Sequence, residues 1–198
     1  MDTGAMDHLI EKKLSSTEVF KGRLLHAYRD VVSLPDGSQA TREYVVHPGA
    51  VMVVPLLEDA SGSTRVVLER QFRYPVGRVM VEFPAGKLDA GESCFACAQR
   101  ELREETGFTA RQWAHAGVLH PLIAYSTEFI DIWFARGLQM GPRNLDEGEL
   151  LDVFTATPDE LLDGCRQGLV TDGKTLTAVL WLQNVLSGNW SLDWHDAA

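Results

Sequence analysis

Residues 86–108, GKLDAGESCFACAQRELREETGF, restrict what this chain can become more than any other stretch. Glu92, Arg100, Glu101, Glu104 and Glu105 lie between Gly86 and Gly107. Read as helical throughout, the segment makes about six turns. At about 100° per residue, Glu105 falls about 40° and Glu104 about 300° from Glu101, so the three carboxylates share one flank. Glu92 points to a different side. Phe95, Ala98 and Leu102 form an adjoining apolar stripe that can dock on a sheet. Like charges three and four residues apart destabilise a helix by roughly 0.2–0.5 kcal/mol per pair. These also sit near the C-terminus, where the macrodipole disfavours negative charge. Something positive must therefore fill the gap, and a hard divalent cation with oxygen ligands does so, Mg²⁺ being the usual choice beside phosphates. Arg100 precedes Glu104 by one turn and can pair with it. Gly107 ends the helix as a left-handed cap, and Phe108 packs back on the last turn.

Composition limits the partners. The chain has 198 residues, 45% hydrophobic and 23% charged, enough for one globular domain with a small addition. A net charge of −10 and a pI near 5.0 argue against nucleic-acid or anionic-membrane partners, but leave room for a small phosphorylated ligand held by a few arginines. No apolar run is long enough to span a membrane. The N-terminus lacks the basic start and apolar run of a signal peptide. With three cysteines, an odd number, the expected compartment is the cytoplasm. Cys94 and Cys97 form a C-x-x-C with no second pair or histidine nearby, and are expected to pack under the helix.

Along the chain, residues 1–17 are expected to be flexible. Residues 18–32 alternate loosely up to the Pro35-Asp36-Gly37 turn and return over 39–46, an N-terminal β-hairpin suited to dimer formation. Strands are expected at 50–57, 65–71, 79–83, 113–119, 128–135 and 151–155, with Pro84-Ala85-Gly86 a loop. Helices are expected at 158–167, opened by Thr157-Pro158-Asp159-Glu160, and at 175–187, closed by Gly188. This order predicts an α/β fold, a mixed sheet between helices over residues 49–198, with the hairpin 18–48 added.

The central segment matches the signature of the Nudix hydrolases: Gly, five residues, Glu, seven residues, Arg-Glu-apolar-any-Glu-Glu-any-Gly-apolar. The surrounding sequence resembles the ADP-ribose pyrophosphatase branch. Arg42-Glu43 with His47-Pro48-Gly49-Ala50-Val51, Gln71-Phe72-Arg73, and Glu82-Phe83-Pro84-Ala85-Gly86-Lys87 all look like segments of that branch. The resemblance implies an α/β/α sandwich and Mg²⁺-dependent hydrolysis of ADP-ribose to AMP and ribose 5-phosphate, with Mn²⁺ as a substitute cation.

It also implies site residues. Glu101, Glu105 and the Ala85 carbonyl would hold metal, with Glu104 in support. Glu149 would be a further ligand and Glu147 the general base, with Glu149 the alternative catalytic base; both lie in the acidic loop Asp146-Glu147-Gly148-Glu149. Arg73 would contact the diphosphate. Phe20, Arg42 and Glu43 would hold the adenosine part, from the partner subunit of a swapped homodimer. His47, Glu82 and Glu128 would be further substrate contacts. Gly86, Glu92, Arg100 and Gly107 would be structural. Where that branch often carries a Ser-Pro-Gly-type loop, this chain reads Pro121-Leu122-Ile123-Ala124-Tyr125, which adds bulk near the sugar. The alternatives are hydrolysis of another nucleoside diphosphate sugar such as GDP-mannose, and a non-catalytic domain that senses ADP-ribose.

Overall fold

A computed structural model describes residues 6–59, 61–145 and 147–197. It separates into two compact units. The first comprises Met1–Pro48 with Leu122–Glu128, and the second Gly49–Pro121 with Phe129–Ala198.

In the first unit, β1 (Lys12–Lys21), β2 (His26–Ser33) and β3 (Gln39–Val46) form an antiparallel sheet in that order. The expected hairpin is thus a three-stranded sheet. The stretch read as one arm is broken at Gly22, whose N–H donates to the Leu25 carbonyl at 2.8 Å. No proline or Asn-Gly pair advertises that turn. The first strand starts at Lys12, inside the segment expected to be flexible, because its polar KKLSST sequence is held by main-chain pairing with β2 rather than by burial. Of that segment, residues 1–5 lie outside the described residues.

The second unit is built on a mixed sheet. Its strands are β4 (Ala50–Glu58), β5 (Thr64–Arg73), β6 (Arg78–Glu82), β7 (Ala85–Lys87), β8 (Phe108–Leu119), β9 (Ile130–Met140), β10 (Leu151–Ala156) and β11 (His195–Asp196). The order is β10-β5-β4-β9-β8-β11, with β6 on β5 and β7 on β4. Only β4 and β9 run parallel among these pairs. Alternation along β4 divides the core. Val51 and Val53 face α1 (Cys94–Thr106), whereas Met52 and Val54 face α2 (Pro158–Arg166) and α3 (Gly173–Leu186). All four valine and methionine side chains are fully buried, each contributing on the order of 1.5–3 kcal/mol. The result is the expected α/β/α sandwich. Strands β8 and β9 run longer than expected because they pair from Phe108↔Met140 through Leu119↔Ile130, starting directly after the helix turn.

Two local expectations need correction. The helix occupies only the second half of the central segment. Ser93, in extended conformation, accepts from the Ala96 N–H and caps α1, so Glu92 precedes the helix instead of lying on its far side. Ala85 and Gly86, expected as loop, pair with β4 in the short strand Ala85–Lys87. Gly107 (φ 78°) caps the C-terminus, its N–H donating to the Arg103 carbonyl. Thr157 opens α2 with a full capping box through Glu160.

Candidate active site

The site grows from the way α1 lies on β7. Ala98 and Leu102 are fully buried against the sheet, and one turn on from Leu102 the same face presents Glu105, only 2% exposed. The Ala85 N–H donates to Glu105 Oε2 at 2.9 Å, joining helix to strand. Glu101 lies over Gly86 so closely that a Cβ there would sit 1.9 Å from its Oε1. The motif glycine is thus needed for space. Its φ is not in the left-handed region.

Arg100 organises the outer side. Its Nε and Nη2 donate to both oxygens of Glu92, at 2.9 and 2.8 Å. Nη1 donates to Glu101 Oε1 at 2.7 Å and to Glu104 Oε2 at 3.1 Å. The Arg100 bond holds Glu92 at a pKa of about 2, and the same bond raises the guanidinium further above its ordinary value. The 86–92 loop and α1 are therefore bound together by one cation shared among three carboxylates. Cys97 is fully buried beneath this knot, with its thiol against the Lys87 carbonyl at 3.4 Å and its pKa pushed up by burial, so it packs as expected.

A second cluster stands beside the first. Arg73 on β5 forks onto Glu82 of β6, Nε to Oε1 at 2.7 Å and Nη2 to Oε2 at 2.9 Å. Lys174, in the first turn of α3, also contacts Glu82, and donates to Asp172 Oδ2 at 3.0 Å. Asp172 in turn caps α3 through the Thr175 N–H. Burial pushes Glu82 up, but Arg73 and Lys174 overcome it and hold its carboxyl below the usual range. Directly opposite Glu82 in the β5–β6 ladder stands Glu69, fully buried, with neither carboxylate oxygen hydrogen-bonded.

Negative charge exceeds positive across this space. Burial, then the charge of Glu69, then that of Glu101 raise Glu105 far above the ordinary carboxylate range. Burial raises Glu101 to about 7, only partly offset by Arg100. Burial and the facing Glu82 raise Glu69 likewise. The charge of Glu149 contributes to all three shifts, which brings one acid of the 147–149 loop to the cluster, while Glu147 is exposed. Asp146 of that loop lies outside the described residues. Among the described residues no three His, Cys, Asp or Glu side chains already converge as a metal cage. The donor set is nonetheless all oxygen, charged and short of counter-ions, which fits a hard divalent cation.

The other sequence-predicted residues fall in the first unit. His47 Nδ1 lies 3.9 Å from Glu128 Oε1. Arg42 bonds Glu11, and Glu43 accepts from Arg29 Nε at 2.9 Å. Phe20 is exposed. Sequence reasoning missed Glu69, Lys174 and Asp172. The signal for Glu69 was a lone acid in an apolar strand, VVLERQF. Lys174 and Asp172 look like an ordinary helix start.

A mixed sheet between helices, with a carboxylate-rich helix capped over a glycine-containing strand, defines an α/β/α domain whose acidic site suits a hard divalent cation. The chain belongs to the Nudix family: the NUDIX domain matches residues 46–178, and a nucleoside diphosphate sugar hydrolase N-terminal domain matches residues 11–45. It is a Nudix hydrolase, of a family that generally uses divalent metal ions. It is 34% identical over 180 residues to an ADP-ribose pyrophosphatase of Bacillus subtilis, covering 90% of this chain and 95% of that protein. It is 37% identical over 183 residues to a methanol dehydrogenase activator of Bacillus methanolicus, covering 90% and 96%. A crystal structure of an ADP compounds hydrolase shares the fold, with a TM-score of 0.80 at 24% identity over 90% of this chain and 95% of that one.

Proposed function

We propose that this chain hydrolyses the pyrophosphate bond of ADP-ribose to AMP and ribose 5-phosphate, using Mg²⁺ or, as substitute, Mn²⁺. The observation that carries the proposal is the group of acids left short of counter-ions where α1 meets β7, with Glu101 over Gly86 and Glu105 on the Ala85 N–H. Glu101, Glu105 and the Ala85 carbonyl hold the cation. Glu104, steadied by Arg100, supports it, and Glu149 adds a further carboxylate. A divalent cation held by these residues would supply polarisation of phosphoryl oxygens and neutralisation of charge developing on them. Glu147, exposed on its loop, takes the proton of the attacking water. Arg73 is fixed by its fork on Glu82, which leaves Nη1 for a diphosphate oxygen. His47, Glu128, Arg42, Glu43 and Phe20 serve the sugar and adenosine ends, and Glu82 acts through Arg73.

The proposal includes a homodimer in the cytoplasm. The first unit supports the dimer: β1 is exposed along its whole length and presents Leu14, Val19 and Phe20 to solvent. Among the described residues no helix is long and apolar enough to cross a membrane.

The test is a panel of nucleotide sugars with Mg²⁺, scored for release of the nucleoside monophosphate, AMP from ADP-ribose and GMP from GDP-mannose. ADP-ribose should be cleaved fastest. Equal or faster cleavage of GDP-mannose would assign the chain to another nucleoside diphosphate sugar. No cleavage of any would favour a sensing domain. Glu105→Gln should lower kcat at least 1,000-fold, about 4 kcal/mol of barrier, while the fold persists. Near-normal turnover in that variant would remove the metal-holding role. Comparing Glu147→Gln with Glu149→Gln separates the base from the additional ligand, since only the latter should weaken cation binding.

A further inference from the structure

Glu69 has no reason to be charged where it stands, if the protein alone is considered. Along β5 it shares a face with Val67, which packs in the core beneath α1, so an apolar side chain would continue the pattern. Instead a carboxylate is completely buried with both oxygens unbonded. The nearest cations are committed elsewhere: Arg73 forks on Glu82, and Lys174 is divided between Glu82 and Asp172. Leaving a buried carboxylate without a partner costs several kcal/mol, and side chains of this kind persist where something outside the chain completes them.

Two neighbours indicate what that is. The face of β5 that Glu69 shares with Val67 packs beneath α1, the helix that carries Glu101 and Glu105. The charge of Glu69 bears on Glu105, while that of Glu149 bears on both. An anionic ligand would worsen this grouping and a neutral one would leave its charge unbalanced, whereas a cation relieves it. Glu101 and Glu105 approach from the helix, while Glu69 approaches from the sheet.

We infer that Glu69 is an additional oxygen ligand of the divalent-cation site, closing from β5 the cradle that α1 opens. The inference rests on the metal cradle proposed above for Glu101 and Glu105. Glu82, although directly across the ladder, does not share the role, because its two oxygens are occupied by Arg73 and Lys174. The site is thus divided: Glu82 anchors the arginine, and Glu69 faces the cation.

The experiment is Mn²⁺ binding to the full chain without substrate, followed by the electron paramagnetic resonance of free Mn²⁺, in the wild type, Glu69→Gln and Glu69→Val. Even groups outside the ligand shell typically contribute 10–100-fold in metal affinity, and a direct ligand should contribute no less. Both variants should therefore bind Mn²⁺ at least about 10-fold more weakly than the wild type. Their metal-free melting temperatures should equal or exceed that of the wild type, since an orphan buried acid has been removed. A merely structural glutamate would give the opposite pattern, a lower melting temperature with affinity unchanged, and that result overturns the inference. Glu69→Gln, nearly isosteric, keeps the test valid if valine does not fold. Unchanged Mn²⁺ affinity in the glutamine variant refutes the role of Glu69 alone. Absence of Mn²⁺ binding in the wild type removes the cradle and this inference together.

Discussion

Replacing Gly86 by alanine separates geometry from stability in this site. The added Cβ would lie 1.9 Å from Glu101 Oε1 and 2.0 Å from its carboxyl carbon. Ordinary contact begins near 3.5 Å, so the carboxylate must move by about 1.5 Å. A displacement of about 1 Å at a reacting centre can cost about 100-fold in rate, or about 2.7 kcal/mol of barrier. Stability should barely change. Gly86 is not in the left-handed region, and alanine at a compatible position stabilises by about 0.4–1 kcal/mol through the unfolded chain. Loss of the mostly buried Arg100–Glu101 contact offsets this gain. Gly91→Ala is the contrasting case: φ is +80° with no neighbour within 4 Å, so strain appears without displacement of any acid. Steady-state release of AMP from ADP-ribose, paired with thermal melting, reads both effects. Gly86→Ala should lose about 100-fold in kcat at a nearly constant melting temperature. Gly91→Ala should melt lower, by about 1–2 kcal/mol of stability, with kcat intact. A Gly86→Ala enzyme within twofold of wild-type kcat would refute the claim that Glu101 must lie over that glycine.

Other perturbations test the electrostatics. Glu69, Glu101 and Glu105 hold protons more tightly folded than unfolded, so the folded chain binds more protons above the ordinary carboxylate value of 4.5 and its stability falls as pH rises from there. For Glu101, raised to about 7, the loss between those values is on the order of 3 kcal/mol at about 1.4 kcal/mol per pK unit. Glu82 and Glu92, whose values are lowered, act in the opposite sense and only below 4.5. Metal-free melting should therefore fall from pH 5 to pH 8, and Mg²⁺ should raise it by an increment that grows with pH. A Mg²⁺ increment independent of pH would contradict this balance. Lys174→Met leaves Glu82 and Asp172 without one of their cations. Urea unfolding should show a loss of about 3–5 kcal/mol, and a loss under about 1 kcal/mol would mean the pair is not structural.

Much of this protein could be read before its coordinates. Turn chemistry located the Gly107 cap and the Thr157 capping box, because both depend on residues within one helical turn. Apolar runs placed β4, β5 and β10, and the motif located Glu101, Glu104, Glu105 and Arg100. The same local reasoning failed where no local signal existed. It carried the helix back through Glu92, since Ser93 is a weak mark of a start until its side chain is seen accepting from Ala96. It missed strand β1, whose polar sequence is ordered by its partner and not by burial.

What the sequence determined by itself was the order of the main core strands and helices, the family and the helix that bears the acids, all of which rest on signals from near neighbours along the chain. What only the tertiary structure decided was how those acids are answered. Arg100, paired with Glu104 as its spacing predicts, also takes Glu92 and Glu101, Glu82 is closed off by Arg73 and Lys174, and Glu69 is left buried with neither oxygen hydrogen-bonded. These depend on strand register and helix docking between residues up to 92 positions apart, as with Lys174 and Glu82. Charge distribution in a buried site is a property of which distant segments meet, and no spacing along the chain encodes it.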